Sequence, residues 1–223
     1  VLPGFEVAAV EAAGATRVSL VSTALARIDA SLFRTSVLGG SRPPDDRPAN
    51  CVTTYGMTET GSGVVYDGVP LDGVEVDIAT DGEIRLRAPM LLRCYRDGTT
   101  PFDGDGWFAT GDLGEWRPNG TLHVAGRRGD LIITGGENVW PEAVEAALAD
   151  HPGVAEVMVR GVADTEWGQL VEAVIVPAGD PPTLDSLREH VKERHPSFMA
   201  PKRLTLVESR PRTNLGKLRR SPS

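Results

Sequence analysis

At 223 residues, 40% of them hydrophobic and 24% charged, the chain can hold one large or two small domains with a sizeable core. Its formal net charge of −8 argues against non-specific binding to nucleic acid or to an anionic membrane. The two cysteines and four scattered histidines have no metal-ligand spacing, and no apolar run approaches the roughly 18 residues of a membrane helix, so a reducing cytoplasm without membrane insertion is the expected setting.

In chain order, Val18 to Val21 reads as a buried strand leading into a helix through Ala24, Leu25 and Ile28. Val37-Leu38 reads as a strand ending in a tight turn, Gly39-Gly40-Ser41, and the Pro- and Asp-rich residues 42–50 as a surface loop. Cys51 to Tyr55 is a further strand, delivering Tyr55-Gly56-Met57-Thr58-Glu59-Thr60-Gly61 at its end, where α/β sheets place ligands. From Gly68 the pattern turns to period two. Residues 74–78 and 83–87 alternate around an Asp81-Gly82 hairpin turn, Trp107-Phe108 and Leu122 to Val124 continue them, and Asn119-Gly120 marks a second turn. After Gly129, Pro141 suits the first turn of a helix with Val144, Ala147 and Leu148 on one face. Residues 154–162 and 171–176 read as strands, Thr183 as the cap of a helix with Leu184, Leu187 and Val191 inward, and residues 202–208 as a last strand. Lys202, Arg203, Arg210, Arg212, Lys217, Arg219 and Arg220 then crowd the C-terminus, either as a solvated tail or as a surface facing phosphates.

Four blocks carry chemistry. Tyr55 offers a ring face to a purine, Thr58 a donor to a phosphate oxygen, and Glu59 the hard oxygen that Mg²⁺ takes alongside phosphates. Asp112, in Trp107-Phe108-Ala109-Thr110-Gly111-Asp112, can accept hydrogen bonds from the vicinal hydroxyls of a ribose. Gly126-Arg127-Arg128-Gly129-Asp130 ends in Gly129-Asp130, which suits a joint whose backbone can change without a packing penalty. Pro211-Arg212-Thr213-Asn214-Leu215-Gly216-Lys217 ends in an ammonium on a long stem.

In this order and at these separations the blocks resemble the adenylate-forming superfamily of acyl-CoA synthetases, luciferases and peptide-synthetase adenylation domains, from about Val37 to Arg220. The resemblance implies an α/β (α+β) fold. Residues 1–128 would be the C-terminal part of a large AMP-binding domain, with a β-subdomain at about 68–126, and 129–223 a small mobile domain hinged at Asp130. It also implies an AMP-forming acid–thiol ligase that takes a small carboxylic acid, ATP with Mg²⁺, and coenzyme A, with a homodimer among the assemblies it allows. Gly39, Gly40 and Ser41 would wall the adenine, Tyr55 would stack on it, and Gly56 would belong to the same nucleotide-binding set. Thr58 would touch the α-phosphate, Glu59 bind magnesium, and Asp112 and Arg127 hold the ribose. Gly135-Gly136 would line the path of the pantetheine arm. Lys217 would neutralise the charge growing as a carboxylate attacks the α-phosphate, making Lys217, Thr58 and Glu59 the catalytic set.

The run from Thr60 to Pro70 is similar to o-succinylbenzoate–CoA ligases of menaquinone synthesis, with fatty or aromatic acyl-CoA synthetases of fatty acid metabolism as the near alternative. The superfamily's upstream Ser/Thr/Gly-rich phosphate loop has no counterpart between Val1 and Tyr55, and the chain opens mid-domain without methionine. The expectation is therefore a C-terminal fragment of a ligase, inactive by itself. A non-catalytic nucleotide-binding remnant is the rival.

Overall fold

The computed structural model describes residues 6–25, 27–40 and 46–209, with only the backbone of Ser22 and Thr23. The calls on Ser41 and Lys217 lie outside the described residues. The chain divides into two compact units, Val1–Val124 and Ala125–Ser223. Both mix helices and strands, as the α/β (α+β) expectation requires.

The first unit opens with helix α1 (Val7–Ala12), which the sequence reading did not single out. Strands β1 (Arg17–Leu20), β2 (Thr35–Leu38) and β3 (Cys51–Gly56) follow, paired parallel in that order. The helix expected to run through Ile28 is a single turn, α2 (Ser22–Leu25). Asp29 ends any continuation: its carboxylate accepts the Ser31 N–H at 2.9 Å and opens a new 3₁₀ turn, the local competition that Asp offers a helix. Leu20, Ala24, Leu25, Ala30, Leu38 and Cys51 bury one face of this layer.

Strand β3 then pairs antiparallel with β4 (Gly63–Tyr66), and β4 with β5 (Val69–Pro70), in one five-stranded sheet. Asp67 at φ 46° and Gly68 at φ 79° form the left-handed pair that a tight hairpin needs. This hairpin moves residues 69–70 out of the β-rich stretch expected from 68 onward and into the first sheet.

Strands β6 (Glu75–Ile78), β7 (Glu83–Arg87), β8 (Phe108–Trp116) and β9 (Leu122–Arg127) form the four-stranded sheet that the period-two pattern predicts. Ile84 and Leu86 are fully buried while Arg85 and Arg87 point away. The two arginines pair across the ladder with Asp77 and Glu75, and the Arg87 guanidinium lies 4.6 Å from the Trp107 ring centre. Val64, Val65, Val74, Ile84, Leu86, Phe108 and Leu122 form this core.

In the second unit, the hairpin β10 (Ile132–Thr134) and β11 (Glu137–Val139) precedes helix α3 (Pro141–Ala149). Strands β12 (Val154–Asp164) and β13 (Gly168–Pro177) pair antiparallel over ten residue pairs. Helix α4 (Leu184–Lys192) follows, then strand β14 (Arg203–Leu206), parallel to β13. Pro141 begins α3 and the Thr183 hydroxyl accepts the Ser186 N–H at 3.1 Å, as the sequence predicts. Val144 and Leu148 of α3 and Leu187 and Val191 of α4 are fully buried against Val157, Val159, Val171, Ala173 and Ile175. Each such side chain contributes about 1.5–3 kcal/mol.

Among the described residues no helix is long and apolar enough to cross a membrane.

Candidate active site

Three parallel strands end side by side, and the first candidate residues stand on those ends. Leu38 pairs with Thr53, so Gly39 and Gly40, just past β2, lie beside Thr54 and Tyr55 of β3. A Cβ at Gly39 would meet the Thr54 methyl at 3.0 Å, and Gly40 has φ 82°, so both positions favour a bare backbone. Gly56 is tighter still, since a Cβ there would lie 2.2 Å from the Ser62 carbonyl oxygen. The β3–β4 register shifts between Tyr55 and Gly56, which turns the chain out of the sheet at this point.

The residues that follow form a 3₁₀ turn, Thr58–Thr60, closed by Gly61 at φ 69°. Thr60 holds this turn from inside: its hydroxyl accepts the Met57 N–H at 2.9 Å and lies 2.6 Å from the Ser62 carbonyl. Burying Thr60 turns Thr58 outward, exposed, and leaves Glu59 half-buried. The Glu59 carbonyl accepts the Leu92 N–H at 2.8 Å, and its carboxylate Oε1 lies 3.3 Å from the Tyr95 hydroxyl. Burial first, then the Glu59 charge and this bond, push the Tyr95 phenol above its ordinary value. Tyr95 is a neighbour of the site that the sequence reading missed. It sits in a Gly-containing turn, where no periodicity distinguishes it. Among the described residues no group of three or more His, Cys, Asp or Glu side chains could hold a metal. A lone carboxylate such as Glu59 fits Mg²⁺ carried jointly with phosphates, not a protein-built cage.

Asp112 arrives from the other sheet. Opposite β7, strand β8 bulges, with Glu83 facing Leu113 but Arg85 facing Ala109. Three bonds fix the bulge. The Thr110 hydroxyl donates to the Ile84 carbonyl at 2.8 Å, the Asp112 N–H donates back to Thr110 Oγ1 at 3.1 Å, and the Gly111 N–H donates to Glu83 Oε1 at 2.8 Å. Asp112, only 8% exposed, accepts a hydrogen bond at Oδ2 from the Tyr55 hydroxyl at 2.9 Å. Residues 57 apart in sequence are thus joined side chain to side chain. The first unit therefore gathers Gly39, Gly40, Tyr55, Gly56, Thr58, Glu59 and Asp112 on neighbouring strand ends and one bulge.

Arg127, Asp130, Gly135 and Gly136 belong to the second unit. Arg127 is exposed at the end of β9, and Arg128–Asp130 form a single 3₁₀ turn in which a Cβ at Gly129 would meet nothing within 4 Å. Gly135 at φ 60° and Gly136 at φ 84° make the type I′ turn of the β10–β11 hairpin. The Gly135 N–H donates to the Trp167 carbonyl at 2.9 Å, and the Trp167 ring lies so close that a Cβ on Gly135 would meet it at 2.7 Å. The Lys202 ammonium lies 3.0 Å from the centre of that ring. Trp167 and Lys202 were not among the expected site residues. Lys202 was visible only as one of a basic run.

Residues 143–217 match the family described as AMP-binding enzyme C-terminal domain. A probable 2-succinylbenzoate–CoA ligase of Mycobacterium tuberculosis is 44% identical over 214 residues, covering 90% of this chain and 54% of that protein. The solved o-succinylbenzoate CoA synthetase MenE of Bacillus subtilis, in complex with the acyl-adenylate intermediate OSB-AMP, matches with a TM-score of 0.86 at 31% identity, over 97% of this chain and 53% of that one. The same enzyme in complex with ATP and magnesium ion matches with a TM-score of 0.84 at 31% identity, over 97% and 54%. The chain thus spans about half the length of the relatives it matches, and its residues 143–217 match a C-terminal domain of AMP-binding enzymes.

Proposed function

We propose that this chain is the C-terminal half of an ATP-dependent 2-succinylbenzoate–CoA ligase, an AMP-forming acid–thiol ligase. Residues 1–128 would close a large AMP-binding domain, with a β-subdomain at about 68–126, and residues 129–223 would form its mobile C-terminal domain. The observation that carries the reading is the gathering of Gly39, Gly40, Tyr55 and Glu59 at one sheet end, with Asp112 bonded to Tyr55. The choice of acid rests on likeness to ligases of that name at 44% and 36% identity.

In this reading the Tyr55 ring stacks on adenine beside the bare backbone of Gly39 and Gly40, and Asp112 accepts the ribose hydroxyls, with Arg127 reaching the same region. Thr58, exposed on its turn, donates to the α-phosphate, and Glu59 is the residue to hold magnesium. The ion when bound neutralises phosphate charge. The acid's carboxylate attacks the α-phosphorus, the bond to pyrophosphate breaks, and an acyl-adenylate forms. Lys217 is proposed to stabilise that transition state. The second domain then turns about Asp130 and brings Gly135-Gly136 alongside the pantetheine arm. The thiol attacks the acyl carbon and AMP leaves. One cleft can serve both steps because the domain moves between them. A cytoplasmic setting goes with this reading and is supported by Cys51 and Cys94, which are unbridged.

The test is pyrophosphate exchange by the complete polypeptide against a panel of acids. Exchange with 2-succinylbenzoate well above that with long-chain fatty acids or benzoates is the expected result. Equal or greater exchange with those acids would make it a general acyl-CoA synthetase, and none with any acid would leave a nucleotide-binding module.

A further inference from the structure

Stacking needs only a ring, and phenylalanine would supply it. The hydroxyl of Tyr55 therefore requires its own account. It donates to Oδ2 of Asp112 at 2.9 Å, on a carboxylate only 8% exposed. Asp112 sits on a bulge whose backbone is already fixed through Thr110, Ile84 and Glu83. With the backbone held, the side-chain torsions are what remain to be set, and the bond from Tyr55 to one carboxylate oxygen constrains them. A carboxylate has roughly four lone-pair sites, and the Tyr55 hydroxyl takes one of them.

We infer that Tyr55 is a positioning residue for Asp112, holding its carboxylate in the orientation that accepts both hydroxyls of a ribose. The inference rests on the nucleotide reading above. It extends that reading by making sugar recognition depend on the residue that stacks on the base. Recognition of base and sugar is coupled through one side chain, and the coupling is built into the two sheets before a ligand arrives.

The experiment measures binding of AMP and of 2′,3′-dideoxy-AMP to the 223-residue chain by titration calorimetry, for wild type, Tyr55→Phe, Tyr55→Leu and Asp112→Asn. Wild type should prefer AMP. Tyr55→Phe should weaken AMP binding about tenfold, the effect of a hydrogen bond to a charged group, yet leave the dideoxy analogue unchanged. Tyr55→Leu should weaken both, and Asp112→Asn should abolish the preference while leaving the dideoxy analogue bound. Thermal unfolding of each variant checks that the fold is retained.

If Tyr55→Phe weakens both ligands alike, or neither, while wild type still prefers AMP, the positioning role is overturned and the ribose role of Asp112 stands. If wild type binds both ligands equally, or Asp112→Asn keeps the preference, the ribose role falls and the inference with it.

Discussion

Among the described residues each unit buries one carboxylate, and the two accept from different kinds of side-chain donor. In the second unit Glu172, on the central strand β13, is 2% exposed. It accepts the Arg160 Nε–H at 2.6 Å and the Thr205 hydroxyl at 2.9 Å, with Arg203 Nε at 3.7 Å. Its neighbours across both ladders are basic, since Arg160 pairs with it from β12 and Arg203 from β14. In the first unit a neutral phenol, that of Tyr55, donates to Asp112. A guanidinium absorbs a carboxylate's charge into the stability of its own domain. A hydroxyl orients the carboxylate without cancelling it. Burial alone therefore does not tell a structural acid from the one proposed above to face a ribose.

Removing the donor from each acid should separate the two cases. Arg160→Met removes the shortest bond to a carboxylate that is 3% exposed, with Thr205 and Arg203 still beside it, and should lower stability by about 2–3 kcal/mol in urea unfolding. That figure lies under the range for fully buried pairs because the Arg160 side chain keeps 29% exposure. Adding Glu172→Met to Arg160→Met should recover most of the loss, as an apolar pair replaces an ionic one. Tyr55→Phe, the matching change in the first unit, should cost about 1.5 kcal/mol, less than Arg160→Met, and show itself in ligand binding as well. A double variant no more stable than Arg160→Met would break the contrast.

The sequence makes the fold legible where a single local signal is enough. Ile84 and Leu86 alternate with Arg85 and Arg87, Asp81-Gly82 sits between them, and both the strands and their turn are as predicted. Thr183 and Pro141 name their helix starts for the same reason. The candidate site was expected as a set of residue types, without the joinery between them. The bond from Tyr55 to Asp112 depends on how far β8 bulges, and nothing in the local pattern of Thr110-Gly111-Asp112 declares that length. Trp167 on Gly135 and Tyr95 beside Glu59 are likewise contacts between loops distant in sequence. The Asp67-Gly68 pair did carry a hairpin signal, overlooked because the run containing it was read as one similarity block.

Two glycines sharpen the contrast further. At Gly56 a Cβ would lie 2.2 Å from the Ser62 carbonyl oxygen and 2.6 Å from the Gly63 Cα, both backbone atoms that cannot swing aside. Gly56→Ala should therefore force β3 and β4 apart, lowering stability by about 2 kcal/mol and weakening AMP binding by the same variant. At Gly129, in the turn proposed as the hinge, the space is open. Gly129→Ala should stay within about 0.5 kcal/mol of wild type. Urea unfolding of the pair gives the answer, and equal losses would show that the strand-end geometry at Gly56 is no more constrained than the turn.

The smallest expected effect lies in the second unit, at His151. Its Nδ1 accepts the Gly153 N–H at 3.1 Å, and its ring meets the edge of His190, from α4, with centroids 5.2 Å apart. Burial first, then the charge that His190 would carry, hold His151 below the ordinary imidazole range. The other charged groups nearby are already engaged, Asp150 with Arg194 and Glu193 within 3.9 Å of His190. A base whose folded value is depressed binds fewer protons folded than unfolded, so stability rises with pH across the interval between the two values. The contribution is complete above the unfolded value of about 6.5 and is lost as the pH falls from there through the folded value. His151→Asn keeps an oxygen able to accept from Gly153 but cannot titrate, so it should flatten this part of the profile. The measurement is the urea midpoint of both proteins between about pH 7.5 and 5. The wild-type midpoint should fall more than the variant's on acidification, and parallel curves would show that folding does not depress the His151 value.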